Sequence, residues 1–150
     1  MAIAAPRPVV HDAIAKLQRL TDLFQERRAQ LADEVGLTEQ QWEVLERIAT
    51  ERFMPSMFAR HRESSAAAVS RLVRQLIDKR LVSVSVSPND GRQRQYVLTT
   101  KGRRTLATLR ASREAAIAAI WAPLDPRALA AFAEVSGTLI RRIETYAARE

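Results

Sequence analysis

The chain has no cysteine. That excludes disulfides, thiolate metal sites, cysteine nucleophiles and direct thiol redox sensing. Aromatic residues make up only 5%, and their scarcity beside abundant alanine favours helix packing over a β-sandwich. No apolar run reaches the roughly 18 residues that span a bilayer. The start, Met1-Ala2-Ile3-Ala4-Ala5-Pro6, lacks the charged-then-apolar order of a secretion signal. A cytoplasmic chain with no membrane partner is expected. The two histidines, His11 and His61, lie far apart and have no carboxylate cluster at ligand spacing. His61-Arg62-Glu63 reads as a solvated turn. No phosphate loop, nucleophile elbow or paired-carboxylate motif is found. The expectation is therefore no enzyme, no cofactor and no metal.

What is present is hydrophobic residue and positive charge. At 150 residues and 47% hydrophobic the chain is one domain long and can form a core. The net charge is +7, but its location matters more than its size. Residues 51–104 hold 12 Lys/Arg against 4 Asp/Glu, while the rest of the chain holds 12 against 13. The whole excess is in the middle third. A field concentrated in this way suits a polyanion, because each neutralised phosphate releases a counterion.

Hydrophobic periodicity divides the chain. In residues 8–34, Val10, Ile14, Leu17, Phe24 and Leu31 recur at steps of four, three and seven, which predicts a long amphipathic helix closed by Gly36. A helix of this length usually packs on a partner chain. Thr38 and Gln41 have capping-box spacing and open a second helix that ends near Thr50. Residues 54–61 read as a short helix with Pro55 in its first turn. A helix capped by Ser64 or Ser65 follows, to about Lys79. Its apolar face is Val69, Leu72, Val73, Leu76 and Ile77. On the other side Ala67, Ser70, Arg71, Arg74 and Asp78 fall within about 100°. Small residues near the start let the backbone approach a groove, and arginine reaches base edges or phosphates.

The period then changes to two. Leu81-Val82-Ser83-Val84-Ser85-Val86 alternates as a half-buried strand, Ser87-Pro88-Asn89-Asp90-Gly91 is turn chemistry, and Gln95-Tyr96-Val97-Leu98 returns. This hairpin carries Arg92 and Arg94 at or beside its tip. With nothing apolar there to bury, it is expected to project. Thr99 or Thr100 caps a helix over 101–121, and Pro123-Leu124-Asp125-Pro126 breaks it. A last helix over 127–149 places Phe132, Ser136, Leu139, Ile143 and Tyr146 in a seam pattern. The expected organisation is an N-terminal dimerisation helix (1–36), a DNA-binding lobe (37–100) and C-terminal dimerisation helices (101–150) in one intertwined unit. Val10, Ile14, Leu17, Leu139, Ile143 and Tyr146 are the expected homodimer contacts.

The order helix, helix, helix, strand, turn, strand, helix is that of a winged helix-turn-helix, so the fold class is mainly α with a small β-hairpin wing. The local words narrow it further. Leu37-Thr38-Glu39-Gln40-Gln41-Trp42 resembles the opening of the MarR family of bacterial regulators. Ala68-Val69-Ser70-Arg71-Leu72-Val73 is similar to that family's recognition helix. Asp90-Gly91-Arg92, with Leu98-Thr99 and Gly102, is similar to its wing signature. Two departures stand out. Arg80 occupies a position where the family usually has glycine, so the turn into the strand is expected to differ. Ser83 and Ser85 stand where an early strand arginine is usual.

The resemblance implies that the 65–79 helix enters the major groove of double-stranded DNA while the wing arginine, Arg92, reaches a neighbouring minor groove. Asp90 would hold Arg92 by a charge-assisted hydrogen bond, and Arg94 would touch phosphate. The DNA-contacting set is Ser64, Ser65, Ala67, Ser70, Arg71, Arg74, Asp90, Arg92 and Arg94. A two-fold dimer implies a pseudo-palindromic operator with half-sites about one helical turn apart. The resemblance also implies a crevice for a small aromatic or phenolic effector, for which His11, Trp42 and Trp121 are candidates; each also suits a core or interface position. The function expected is a repressor released by such a ligand. Two other readings stay open: an effector-independent architectural or anti-silencing DNA binder, and a helical protein-interaction module with a basic centre.

Overall fold

The 3.6-residue stripes become helices where expected. The computed structural model, which describes residues 6–62, 64–87 and 90–149 (the side chains of 87 and 90–93 excepted), runs α1 (Arg7–Glu34), α2 (Glu39–Thr50), α3 (Pro55–His61), α4 (Ala66–Asp78), β1 (Val82–Ser87), β2 (Asp90–Leu98), α5 (Thr100–Ile120) and α6 (Pro126–Ala147). Two compact units divide the chain, Met1–Arg110 and Ala111–Glu150. No helix among the described residues is long and apolar enough to cross a membrane.

One hydrophobic core organises the first unit. It joins Leu31 and Ala32 of α1, Trp42, Val44, Leu45 and Ile48 of α2, Phe58 and Ala59 of α3, Val69, Val73 and Leu76 of α4, Val82 of β1, and Leu106 and Leu109 of α5. Leu45 and Leu76 are wholly buried. An aromatic step extends this core toward the hairpin: the ring of Phe53 lies 5.6 Å from Phe58 and 5.9 Å, edge-on, from Tyr96. α1 meets α2 through Arg28, whose guanidinium sits 4.4 Å from the centre of the Trp42 ring. α5 is tied to α2 by Arg110, which donates to Glu46 at 2.7 Å.

Helix ends follow local chemistry. The capping box of α2 is complete: Gln41 N–H donates to Thr38 Oγ1 and Thr38 N–H donates to Gln41 Oε1, each at 3.1 Å. Ser65, rather than Ser64, caps α4 by accepting from the Ala68 N–H at 3.1 Å. Asp125 caps α6, accepting from the Arg127 N–H at 3.0 Å. β1 and β2 pair antiparallel from Val82 opposite Leu98 to Val86 opposite Arg94. An irregularity follows, with Ser87 opposite Asp90. The returning strand is therefore longer than the expected 95–98.

α1 and α4 end in the same way with different residues. Gly36, at φ +71°, sends its N–H to Asp33 O at 2.9 Å, and Leu37 N–H reaches Ala32 O at 2.9 Å. After α4 the N–H of Arg80 reaches Ile77 O at 2.8 Å and that of Leu81 reaches Leu76 O at 2.9 Å, with Arg80 at φ 58°. Both are Schellman closures, which favour glycine at the left-handed position. The expected departure of this turn does not arise. Arg80 takes the left-handed conformation itself, because the chain beyond is held in place: Thr99 Oγ1 donates to Arg80 O at 2.7 Å and Thr99 N–H donates to Leu81 O at 3.0 Å. Thr99 also caps α5, accepting from the Gly102 N–H at 3.0 Å.

Two opposite effects are expected in thermal unfolding. A side chain in the left-handed region costs about 1–2 kcal/mol, of which glycine's extra unfolded-state freedom returns about 0.5–1. Arg80→Gly should thus stabilise the protein by about 0.5–1 kcal/mol, a rise of roughly 1–3 °C. Gly102→Ala should destabilise it by at least about 2 kcal/mol, because a Cβ there would lie 2.1 Å from the backbone oxygen of Leu81.

Candidate nucleic-acid interface

α3 and α4 form the helix-turn-helix. α4 is held from beneath by Val69, Val73 and Leu76 and from its flank by one buried polar contact: Gln41 Nε2 donates to Gln75 Oε1 at 2.8 Å. Gln41 is only 5% exposed, so both halves of its amide must be used within the protein. One half completes the α2 cap and the other sets α4 against α2. The sequence shows the first role through local spacing. It gives no sign of the second, since Gln75 lies 34 residues away.

With its apolar face buried, α4 turns its other face outward. Ser64, Ser65, Ala67, Ser70, Arg71 and Arg74 are all exposed, and within α4 they share the side opposite Val69 and Val73. Of the hairpin candidates, Arg94 is exposed and lies opposite Val86. Asp90 and Arg92 belong to β2 by their backbone, and their side chains lie outside the described residues. Ser83 and Ser85 are exposed on β1.

The cations are sorted by location. Arg28 pairs with Glu39 at 3.6 Å, Arg47 with Glu51 at 3.5 Å, Arg110 with Glu46 at 2.7 Å, and Arg62 with Glu43. Glu46 acts on Arg110 first through its hydrogen bond, raising the guanidinium pKa further above its ordinary value. Lys16, Arg19 and Arg27 pair along α1. Among the described residues no ion pair involves α4 or the hairpin. A guanidinium that faces water without a carboxylate partner keeps its full field for an incoming phosphate.

The remaining expected site residues fall in different settings. Val10, Ile14 and Leu17 on α1 are 42%, 47% and 37% exposed, and Leu139, Ile143 and Tyr146 on α6 are 40%, 66% and 68% exposed. α6 has no buried residue of its own. Among the ligand candidates His11 is exposed, Trp121 is half-buried, and Trp42 is a core residue whose indole N–H points to Glu46 at 3.5 Å.

Comparison with known proteins agrees with this geometry. The MarR family model matches residues 35–93, which span α2 to the hairpin. No curated protein matches the sequence. Among solved structures, a MarR family transcription regulator superposes with a TM-score of 0.83 at 19% identity, covering 95% of each chain. A mutant of Staphylococcus aureus MepR bound to an oligodeoxyribonucleotide superposes with a TM-score of 0.62 at 17% identity, covering 88% of this chain and 96% of that one. Staphylococcus aureus MarR in complex with salicylate and kanamycin superposes with a TM-score of 0.75 at 15% identity, covering 93% and 95%. The MarR family model thus falls on the lobe that presents the α4 face, and the fold of a MarR family regulator is shared along nearly the whole chain.

Proposed function

We propose that the protein is a sequence-specific double-stranded DNA-binding transcriptional regulator that acts as a homodimer. One observation carries the reading: the outward face of α4 joins small residues at its start to Arg71 and Arg74, which no described carboxylate neutralises. Small side chains permit close approach to the floor of a major groove, and the arginines then reach bases or phosphates. Arg92 and Arg94 supply a second contact from the wing. The oligodeoxyribonucleotide bound by MepR supports DNA as the partner. The exposed apolar stripes of α1 and α6 support a second copy of the chain. Two copies related by a two-fold axis suit a pseudo-palindromic operator.

The regulatory reading is a repressor released by a small aromatic or phenolic ligand, and the salicylate bound by Staphylococcus aureus MarR supports that ligand class. His11, Trp42 and Trp121 remain the candidates to contact it. A ligand that reached the Trp42 ring would have to displace Arg28, which covers it at 4.4 Å.

Footprinting on the DNA upstream of the protein's own gene tests the reading directly. A single protected stretch of pseudo-palindromic sequence is expected, and equal competition by scrambled DNA would overturn it. In gel-shift titration at fixed salt, Arg71→Ala and Arg92→Ala should each weaken operator binding by about 1–3 kcal/mol, the range for loss of a good groove contact. Unchanged affinity would remove that arginine from the interface.

A further inference from the structure

Only three of the 24 Lys and Arg residues are lysines: Lys16, Lys79 and Lys101. Lys16 pairs with Asp12 one turn away on α1. The other two make a different contact. Lys79 Nζ donates to the main-chain oxygen of Gly36 at 2.7 Å, and Lys101 Nζ donates to the main-chain oxygen of Lys79 at 2.9 Å. Gly36 follows Val35, the C-cap of α1, and Lys79 is the C-cap of α4, so each ammonium sits on a carbonyl at or just past a helix C-terminus. Carbonyls in this position have no intrahelical partner and lie near the negative end of the helix dipole. A compact ammonium meets a single carbonyl well, whereas the guanidinium fork is shaped for two oxygens.

The two bonds run in series. Lys101, in the first turn of α5, holds the end of α4, and Lys79, at that end, holds the end of α1. Neither contact is at the end of α4 that begins with Ser65 and carries Ala67, Ser70 and Arg71. We infer that Lys79 and Lys101 are positioning residues, holding the C-terminal end of α4 to the ends of α1 and α5 so that its DNA-reading end keeps one orientation. The inference rests on the DNA-binding reading above.

Leverage makes small changes matter. A 13-residue helix is about 20 Å long, so a tilt of about 5° at one end moves the other by nearly 2 Å. Productive contacts require placement within about 0.5 Å. The core beneath α4 and the Gln41–Gln75 bond limit such tilting, so the loss of one tie should misdirect the helix without unfolding it.

The test uses Lys79→Met and Lys101→Met in the full chain, with Lys16→Met as the control. Affinity is measured for the protein's own upstream DNA and for a scrambled duplex of equal length, at several salt concentrations well below the melting temperature. Each of the first two variants should lose about three- to tenfold in affinity for the upstream DNA. Affinity for scrambled DNA and the salt slope should stay unchanged, so that discrimination falls; Lys16→Met should match the wild type. A residue that touched phosphate would instead weaken both DNAs together and reduce the salt slope by about one, which would overturn the inference. Unchanged discrimination would overturn it equally, even with a lower melting temperature, because a purely structural role predicts that result. If Lys79→Met fails to fold, Lys101→Met carries the same comparison. Failure of the wild-type protein to distinguish the two DNAs would sink the DNA-binding reading itself and is read separately.

Discussion

Everything in the first unit depends on α4 having two faces within 13 residues. Its apolar side, Val69, Val73 and Leu76, is among the most completely buried parts of the molecule. Burying a side chain of this kind contributes about 1.5–3 kcal/mol each, far more than any exposed ion pair. The core therefore decides which way α4 faces, and the arginines go outward as a consequence. No specific interaction on the outer face is needed to aim it. This separation lets the outer residues answer to a ligand while the inner ones answer to stability.

Electrostatics follows the same division. Glu39, Glu43 and Glu46 on α2 and Glu51 at its C-cap pair with Arg28, Arg62, Arg110 and Arg47. Each exposed pair is worth little in stability. Their joint effect is to neutralise one flank of the lobe and leave the positive potential to α4 and the hairpin. The sequence shows the excess charge in residues 51–104, but the structure reveals which of those cations are already occupied.

Legibility divided along the distance between partners. The α2 capping box, the cap of α4 and the polar face of α4 were readable because each is a pattern within one or two turns of chain. The MarR resemblance was likewise carried by local words. Contacts between distant residues left no such pattern: Gln41 with Gln75, Lys79 with Gly36, and Arg110 with Glu46 are 34, 43 and 64 residues apart. Arg80 misled for a related reason. Its propensity argues against a left-handed turn, but Thr99 and the close passage of Gly102 by Leu81 impose that turn from 19 or more residues away. Turn chemistry at Asp90 and Gly91 suggested a loop, where the backbone extends the β-ladder. At Arg80 tertiary constraint overruled local preference.

The uncovered stripes of α1 and α6 raise a further physical question. Val10, Ile14 and Phe24 on α1, and Val135, Ile140 and Ile143 on α6, are between 42% and 66% exposed. Monomers in water rarely leave long contiguous apolar stripes open, and isolated exposed residues do not recur at helical spacing along two helices. The proposed pairing gives these stripes a use that the groove-reading face also requires. A single recognition helix with a wing meets one half-site, and its affinity is limited to a few contacts. Two copies fixed to one another meet both half-sites together, so the second engagement occurs at the high effective concentration set by the scaffold. The advantage holds only while the two reading helices keep a separation matched to the pitch of the duplex. In a dimer of this kind, then, the stiffness of each connection between the paired helices and α4 bears directly on which DNA sequence is bound.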